Sequence, residues 1–418
     1  MEKVKSLSAP LKRITVLDAL RGFTLLGVIL IHMIQHFGIF YSSGGQAVPR
    51  FPAMDEAIQW IGQNIIMGRF INVFAFLFGM SFFIQMDRAA KKGIDFRKRF
   101  VWRMIILFVI GLIGNSYYSL EIISIYAIFG LALIPLYSAK NWILITITAL
   151  LLLGTPRIIQ SNFHNKTIKE QKAENPTDSN AQRSLAVPEN NQNSSFLNSA
   201  KQNYTTRLQG KINYQFGMLG RGYVTFALFV FGLIVGRLRF FEDVHIKKKR
   251  NVILFAGFII LAILVSMAKG LFPPFHSIIL FMPGSELITP SMLIVQALND
   301  INMVLFSGAL AMGFIILYQT QFFGKYLDVF SPYGRMGLTN YEMQGLIGSM
   351  VFSAWAFGTY FGQCGITELF FLGILIYIVQ LFISKIWLKH FLYGPLEWAW
   401  RSATYLKFQP FRKKNIIQ

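Results

Sequence analysis

Asp18-Ala-Leu-Arg21-Gly-Phe-Thr-Leu-Leu-Gly-Val-Ile-Leu-Ile-His32 is the stretch that decides the fold. It is apolar enough to cross a bilayer, yet it carries Asp18, Arg21 and His32. An ionisable side chain at the bilayer centre costs a few kcal/mol unless it is paired or lines a cavity. Eleven residues separate Arg21 from His32, about three helical turns, so the two side chains point the same way. They stand about 16 Å apart along the axis at 1.5 Å per residue. Asp18, one turn before Arg21, can neutralise it. Two readings stay open. One is an interfacial Asp–Arg anchor plus a histidine hydrogen-bonded inside a bundle. The other is a site spanning the bilayer, with a basic group near one surface and an imidazole deep in the same wall.

The rest of the chain has the same character. Of its 418 residues 54% are hydrophobic and only 14% charged, and several apolar runs reach about 20 residues, the length of a membrane helix. The expected fold is therefore all-α, a polytopic helical membrane protein. The net charge of +21 would suggest nucleic acid in a soluble protein. Here the Lys and Arg residues sit in short loops between apolar runs, as the positive-inside rule and anionic headgroups require. No zinc-finger or RNA-binding signature is present, so no nucleic-acid partner is expected. The one cysteine, Cys364, excludes an internal disulfide and a cysteine-based metal cluster. Basic residues up to Arg13 precede the first apolar run, and no small-residue cleavage site closes it. It reads as a retained first helix.

About ten transmembrane helices fit. They start or end near Thr15–His36, Trp60–Met86, Tyr118, Leu120–Tyr137, Trp142–Pro156, Tyr223–Gly236, Lys269, Ala297–Tyr318, Leu338 and Glu368. The most basic short loop holds Arg88, Lys91, Lys92, Arg97, Lys98, Arg99 and Arg103. With both termini cytoplasmic, nearly all compact basic clusters fall on the cytoplasmic side. Three segments follow: an N-terminal helical half over 1–156, a polar Asn-rich extracytoplasmic loop over 157–221, and a C-terminal helical half over 222–418. The first loop carries Gly44, Gly45, Pro49 and Pro52. The polar segment is low in apolar residues and is expected to be partly disordered. It contains Asn193-Ser-Ser195 and Asn203-Tyr-Thr205, which match the glycosylation pattern.

Arg21-x10-His32 in a first helix that opens Leu-Asp-Ala-Leu-Arg-Gly resembles the signature of membrane acyltransferases. It is similar to the acyltransferase 3 group and, more distantly, to the heparan glucosaminide N-acetyltransferase group. Other stretches resemble the YeiB/DUF418 family more closely. These are Phe74-Ala-Phe-Leu-Phe-Gly79 followed by Arg88, Glu121-Ile-Ile-Ser-Ile-Tyr126-Ala127, and Gly334-Arg335-Met-Gly-Leu-Thr339-Asn340-Tyr341. The closing motif is Gly394-Pro395-Leu-Glu397-Trp398-Ala-Trp400-Arg401-Ser-Ala-Thr404-Tyr405. The resemblance covers most of the chain except the Asn-rich loop, and makes the C-terminal half DUF418-like. It departs at three places. His32 stands where that family usually has Asn, Glu121 where it has Asp, and Asn115 where a His often stands. The histidine restores the acyltransferase pattern.

Acyl transfer needs a base for the acceptor proton, or a nucleophile that first takes the acyl group, and stabilisation of an oxyanion. His32 suits either role, with an unperturbed pKa of about 6.5. Glu121, at the start of the fourth apolar run, lies at compatible depth and could orient His32. An interfacial helix cap explains it as well. Arg69 could balance the charge, or snorkel. His36, four residues past His32, and Asn115 are candidate acceptor-side groups. A His-x3-His pair can bind zinc, but no HExxH motif or third ligand accompanies it, so no metal is expected. Arg21 suits the phosphates of an acyl-CoA made in the cytoplasm. Asn340 and Tyr341 are placed at the donor end. Glu397 and Arg401, four apart, can pair on one helical face as a structural motif with Asp18.

The expected function is an integral membrane acyltransferase of the bacterial inner membrane. It moves an acyl group, acetyl above all, from cytoplasmic acyl-CoA to a hydroxyl or amine of an extracytoplasmic glycan or small acceptor. A small-molecule transporter accounts for buried charges among ten helices equally well, and a non-catalytic envelope scaffold is a third reading. The oligomeric state is left open, a homodimer included.

Overall fold

The computed structural model describes residues 15–38, 50–174, 195–281, 283–284 and 286–413. The basic stretch up to Arg13, the Gly44–Pro49 part of the first loop and Asn193 lie outside them.

Among the described residues every regular element is a helix. In chain order they are α1 (Thr15–Ile34), α2 (Pro52–Ile61), α3 (Arg69–Ala90), α4 (Arg97–Tyr117), α5 (Ile123–Leu136) and α6 (Asn141–Leu152). Next come α7 (Thr155–Glu174), α8 (Phe196–Tyr204), α9 (Thr206–Phe216), α10 (Arg221–Arg237), α11 (Lys248–Gly270) and α12 (Ile278–Phe281). The last are α13 (Pro290–Tyr318), α14 (Gln321–Leu327), α15 (Phe330–Arg335), α16 (Gly337–Phe352), α17 (Gly358–Phe361), α18 (Ile366–His390) and α19 (Pro395–Tyr405).

The chain is a membrane protein, and the spans that length and composition mark number fewer than the ten expected. Six helices are long and apolar enough to cross a bilayer, or eight if the pairs α6–α7 and α9–α10, bent by 42° and 53°, each make one span. The other two expected spans are α5 and α16, of only 14 and 16 residues, short of the roughly 20 a bilayer needs. Each packs one face on other helices, while Ile128 and Leu131 of α5 and Met343 and Met350 of α16 stay exposed. Tyr126 and Leu133 of α5 and Tyr341 and Phe352 of α16 are withdrawn from the surface. An apolar run looks the same in sequence whether lipid or protein surrounds it. The polar segment differs too. α7 runs on across residue 157 to Glu174, and 196–216 folds as two short helices against α4 and α10.

The core gathers around α1, α3 and α10, with α4, α5 and α16 closing one side. α11 packs on α13 at the edge of the bundle, and only 11% of its apolar window is buried, as befits a lipid-facing helix. α1 opens with Asp18 in its first turn, where a carboxylate favours the helix dipole. It touches α15 backbone to backbone. A Cβ on Gly22 would lie 2.2 Å from the Phe330 carbonyl oxygen, and one on Gly334 would lie 1.9 Å from that of Asp18. Only glycine fits at both points. That contact fixes the Arg21 end of α1 against the Gly334-Arg335 motif.

Candidate functional site

α1 carries its two ionisable ends to two different environments. At one end the Arg21 guanidinium lies 3.1 Å from Asp18, the pairing expected from their spacing, and donates to Ser81 Oγ of α3 at 3.1 Å. It lines a cavity of about 230 Å³. Phe74, Phe78 and Phe82, one turn apart on α3, form one wall of this cavity, and Phe100, Met104 and Leu107 of α4 form another. Arg103, Arg335 and Glu397 also line it, as do Ile123 and Tyr126 of α5. The Phe74–Gly79 block therefore builds a chamber wall.

At the other end, His32 is half-buried against Phe37 and Tyr118, with ring centroids 5.2 and 5.5 Å away. The Tyr118 hydroxyl lies 3.1 Å from Nε2 and 3.2 Å from Nδ1. It bonds one of them, as donor to the unprotonated nitrogen or as acceptor from the N–H according to the tautomer, which leaves the other nitrogen for another partner.

Glu121 follows three residues after Tyr118, but it does not bond His32. Its carboxylate accepts from the Ser124 backbone N–H at 3.0 Å and from the Ser124 hydroxyl, capping the first turn of α5. Its charge is met by Lys211 of α9, whose Nζ lies 2.9 Å away, with the lysine side chain 8% exposed and the glutamate 0%. Lys211 also donates to Asn115 Oδ1 at 3.1 Å. Asn115 in turn donates to the Asn203 carbonyl at 3.3 Å, and Asn203 donates to the Ser116 carbonyl at 3.1 Å. The polar segment thus sends a lysine into the bundle. Arg69, the expected counter-charge, is elsewhere. It donates to the carbonyls of Gln63 and Met67 at 2.7 and 3.0 Å and stacks over Phe306. A guanidinium at the start of α3 finds those loop carbonyls closer than anything on α5.

The Tyr341 hydroxyl reaches away from its expected place at the Arg21 end, whereas Asn340 stays there, three residues past Gly337, on which a Cβ would lie 3.3 Å from the Arg21 side chain. The Tyr341 hydroxyl accepts from the Ile122 N–H at 3.1 Å, beside Glu121. Asn340 donates to the Tyr333 carbonyl and to Ser384 Oγ, both at 3.0 Å, holding α15 and α18 to α16. Glu342 faces α4, where it accepts from the Tyr117 hydroxyl at 2.5 Å. His36 does not stack over His32. α1 ends at Ile34 and His36 has φ +51°, so the four-residue repeat is broken. Its ring lies edge-on to Phe352.

The closing motif does not form the expected Glu397–Arg401 pair. Glu397 accepts from the N–H groups of Leu338 and Thr339 at 2.7 and 3.1 Å and from Thr339 Oγ1 at 2.5 Å. It caps α16, which has no side-chain cap of its own. Arg401 instead stacks between Tyr393 and Tyr405. Arg103 lies 3.6 Å over the Trp400 ring, and Trp400 Nε1 donates to the Arg103 carbonyl at 2.8 Å.

Sequence reasoning missed Tyr118, Ser124 and Lys211. Tyr118 had a signal, a hydroxyl ending an apolar run three residues before Glu121. Lys211 had little, one lysine among several in a polar segment.

Residues 235–407 match the family model described as "Protein of unknown function (DUF418)". The chain is also 26% identical over 427 residues to "Uncharacterized protein YxaH" of Bacillus subtilis (strain 168), covering 97% of this chain and 98% of that one. It is 24% identical over 414 residues to "Uncharacterized 39.9 kDa protein in amylase 3'region" of Bacillus acidopullulyticus, with 97% of each covered. A match of 38% over 71 residues joins it to "Uncharacterized protein YeiB" of Escherichia coli (strain K12), over 17% of this chain and 18% of that one. No solved structure matches. The matched region supplies Arg335, Tyr341, Glu342 and Glu397 to the two ends of the bundle, whereas Arg21, His32, Tyr118, Glu121 and Lys211 precede it.

Proposed function

We propose that this protein is an integral acyltransferase of the bacterial inner membrane. It takes an acyl group, acetyl above all, from cytoplasmic acyl-CoA and passes it to a hydroxyl or amine of an extracytoplasmic glycan or small acceptor. One observation carries the reading. A single helix holds Arg21 at the mouth of an aromatic-walled cavity and His32, bonded to a tyrosine hydroxyl, three turns beyond. The cationic end suits the phosphates of the donor, and the phenylalanine-lined slot, with Ser81 and Gln85 in its wall, suits its uncharged arm. His32 does not line this cavity, so the thioester must leave it to meet His32.

In this mechanism His32 donates its N–H to the Tyr118 hydroxyl oxygen, and its other, unprotonated nitrogen takes the proton of the acceptor hydroxyl as that oxygen attacks the thioester carbonyl. The Tyr118 hydroxyl is the nearest donor for the oxyanion that forms. The C–O bond closes, the C–S bond breaks, and the proton passes from imidazolium to the departing thiolate, giving free CoA. Lys211, Asn115 and Ser124 hold Glu121 in one place beside Tyr118.

The test uses full-length protein in detergent with acetyl-CoA, following free thiol and label retained on protein. Thioester cleavage in wild type that is lost in His32→Ala supports the reading. No binding and no cleavage by wild type refutes it.

A transporter is the second reading, and one feature favours it. Asp300, 1% exposed in the middle of α13, lies 2.6 Å from Arg157 and 3.7 Å from Arg221, well apart from His32 in its contacts. Buried charges of this kind mark solute and ion paths in membrane bundles. Uptake of an unmodified solute into vesicles, with CoA thioesters untouched, would support it.

A further inference from the structure

A second cavity, of about 450 Å³, opens at the Arg21 end. It is lined by Thr15 and Asp18 of α1, Lys325 and Asp328, Arg335 and Lys385. Its volume falls within the range of about 300–1,000 Å³ typical of small-molecule sites. Arg335 lines this cavity and the aromatic one alike. The second link is the Asp18–Arg21 pair, with Asp18 in one wall and Arg21 in the other. Because Gly22 and Gly334 pin α15 to α1, Arg335 is fixed at the junction.

The charges differ between the chambers. Three cations, Lys325, Lys385 and Arg335, face two carboxylates in the larger one. Both carboxylates are engaged. Asp18 holds Arg21, and Asp328 Oδ1 accepts from the Tyr318 hydroxyl at 2.8 Å. Lys325 and Lys385 are exposed and form no ion pair among the described residues. The smaller chamber is lined mainly by apolar and aromatic side chains, with Arg21, Arg103, Arg335 and Glu397 also in its wall.

We infer that the two cavities are one two-chamber site for an amphipathic ligand. Its phosphate-bearing head lies among Lys325, Lys385 and Arg335, and its apolar arm enters the Phe74–Phe78–Phe82 chamber. A cationic basin adjoining an aromatic slot across Arg335 suits no ligand of uniform polarity. A free inorganic anion would leave the slot empty, and a hydrocarbon would leave the lysines without a partner. The head can come from a nucleotide thioester or from an anionic phospholipid. The chemistry read at the lysines is the same, and the site binds whether or not acyl transfer follows.

The test measures binding alone, so its failure is separable from a failure of the acyl-transfer assay. Wild type and a Lys325→Gln/Lys385→Gln double variant, both full length in detergent at low salt, are titrated calorimetrically with coenzyme A and with pantetheine. Pantetheine has the arm without the phosphates. Retention of phosphatidylglycerol and of diacylglycerol is compared by native mass spectrometry. The substituted lysines are exposed, so the fold survives the change. The expected result is that at least one phosphate-bearing ligand binds wild type and binds the double variant about tenfold more weakly, the loss of charge-assisted contacts. Pantetheine and diacylglycerol should not distinguish the two proteins. Coenzyme A as the sensitive ligand assigns the head to a nucleotide, and phosphatidylglycerol assigns it to a lipid. If neither binds wild type, or both proteins bind alike, the site does not exist.

Discussion

Lys211 Nζ lies 2.9 Å from Glu121 Oε1, and neither side chain is more than 8% exposed. The lysine comes from a short polar helix and the glutamate from the start of an apolar one. The pair therefore ties the polar segment to the bundle beside His32. Removing one partner from a buried pair leaves an uncompensated charge and costs about 3–5 kcal/mol. Lys211→Met and Glu121→Gln alone should each lower the melting temperature in detergent. The double variant should recover most of the loss, because it buries no lone charge. Additive losses in the double variant would mean the two residues do not act as a pair.

The Tyr118 hydroxyl and His32 imidazole make a direct bond, so their variants should fail at the same step. In the acyl-transfer reading His32→Ala loses roughly 100-fold or more of thioester cleavage, the usual weight of a general base. Tyr118→Phe keeps the ring and removes one hydrogen bond, for a loss of about tenfold. His36→Ala should be nearly silent, since its ring faces Phe352. Equal activity in wild type and His32→Ala would remove the histidine from the chemistry.

What the sequence made legible follows from how local each interaction is. Asp18 and Arg21 are one turn apart on one helix, so spacing alone predicted their bond. The all-helical class followed from the length of the apolar runs. The failures are local breaks in a helix or pairings brought about only by the fold. Glu397 and Arg401 could pair by spacing, but the backbone N–H groups of Leu338 and Thr339 compete for the same carboxylate, and only the fold brings them near. His36 had the right spacing to His32 until the helix ended at Ile34. Arg69 had the right depth, but loop carbonyls hold it. Lys211 reaches Glu121 from 90 residues away, a distance that no periodicity reports.

Glu397 should therefore behave as a cap and not as half of an ion pair. Glu397→Ala leaves two N–H groups of α16 without their acceptor, a cost of about 1–3 kcal/mol for each buried donor. A double-mutant cycle of Glu397→Ala with Arg401→Ala, read by thermal unfolding, should give a coupling energy near zero. A coupling near 1 kcal/mol or above would restore the i,i+4 pair.

Asp243, in the connection between α10 and α11, lies outside the spans. A hydrogen bond from Lys247 at 2.5 Å, with Arg250 at 2.9 Å as a further partner, holds its carboxyl below the ordinary aspartate value. A depressed folded value means the stabilisation is fully present above the unfolded value of about 3.9 and is lost as pH falls through the folded one. Wild type should melt above Asp243→Asn near neutral pH, and the gap should close on acidification below the ordinary aspartate range. Salt should narrow it as well, because the group is at the surface. A gap unchanged at pH 3 in high salt would assign it to packing.

Gly334 tests how the two chambers are held together. A methyl group there would sit 1.9 Å from the Asp18 carbonyl oxygen and 2.6 Å from the Gly22 nitrogen, all backbone that cannot rotate away. Gly334→Ala must push α15 off α1 and carry Arg335 with it. The strain of overpacking is typically about 1–3 kcal/mol, so the protein should remain folded with a lower melting temperature. Ligand binding should fall more than stability does, since Arg335 lines both cavities and Arg21 lies across from it. Gly257→Ala is the control, because a Cβ on that glycine of α11 meets nothing within 4 Å. That variant should match wild type in both measurements. A Gly334→Ala protein that also matched it would mean that α1 and α15 do not touch through their backbones.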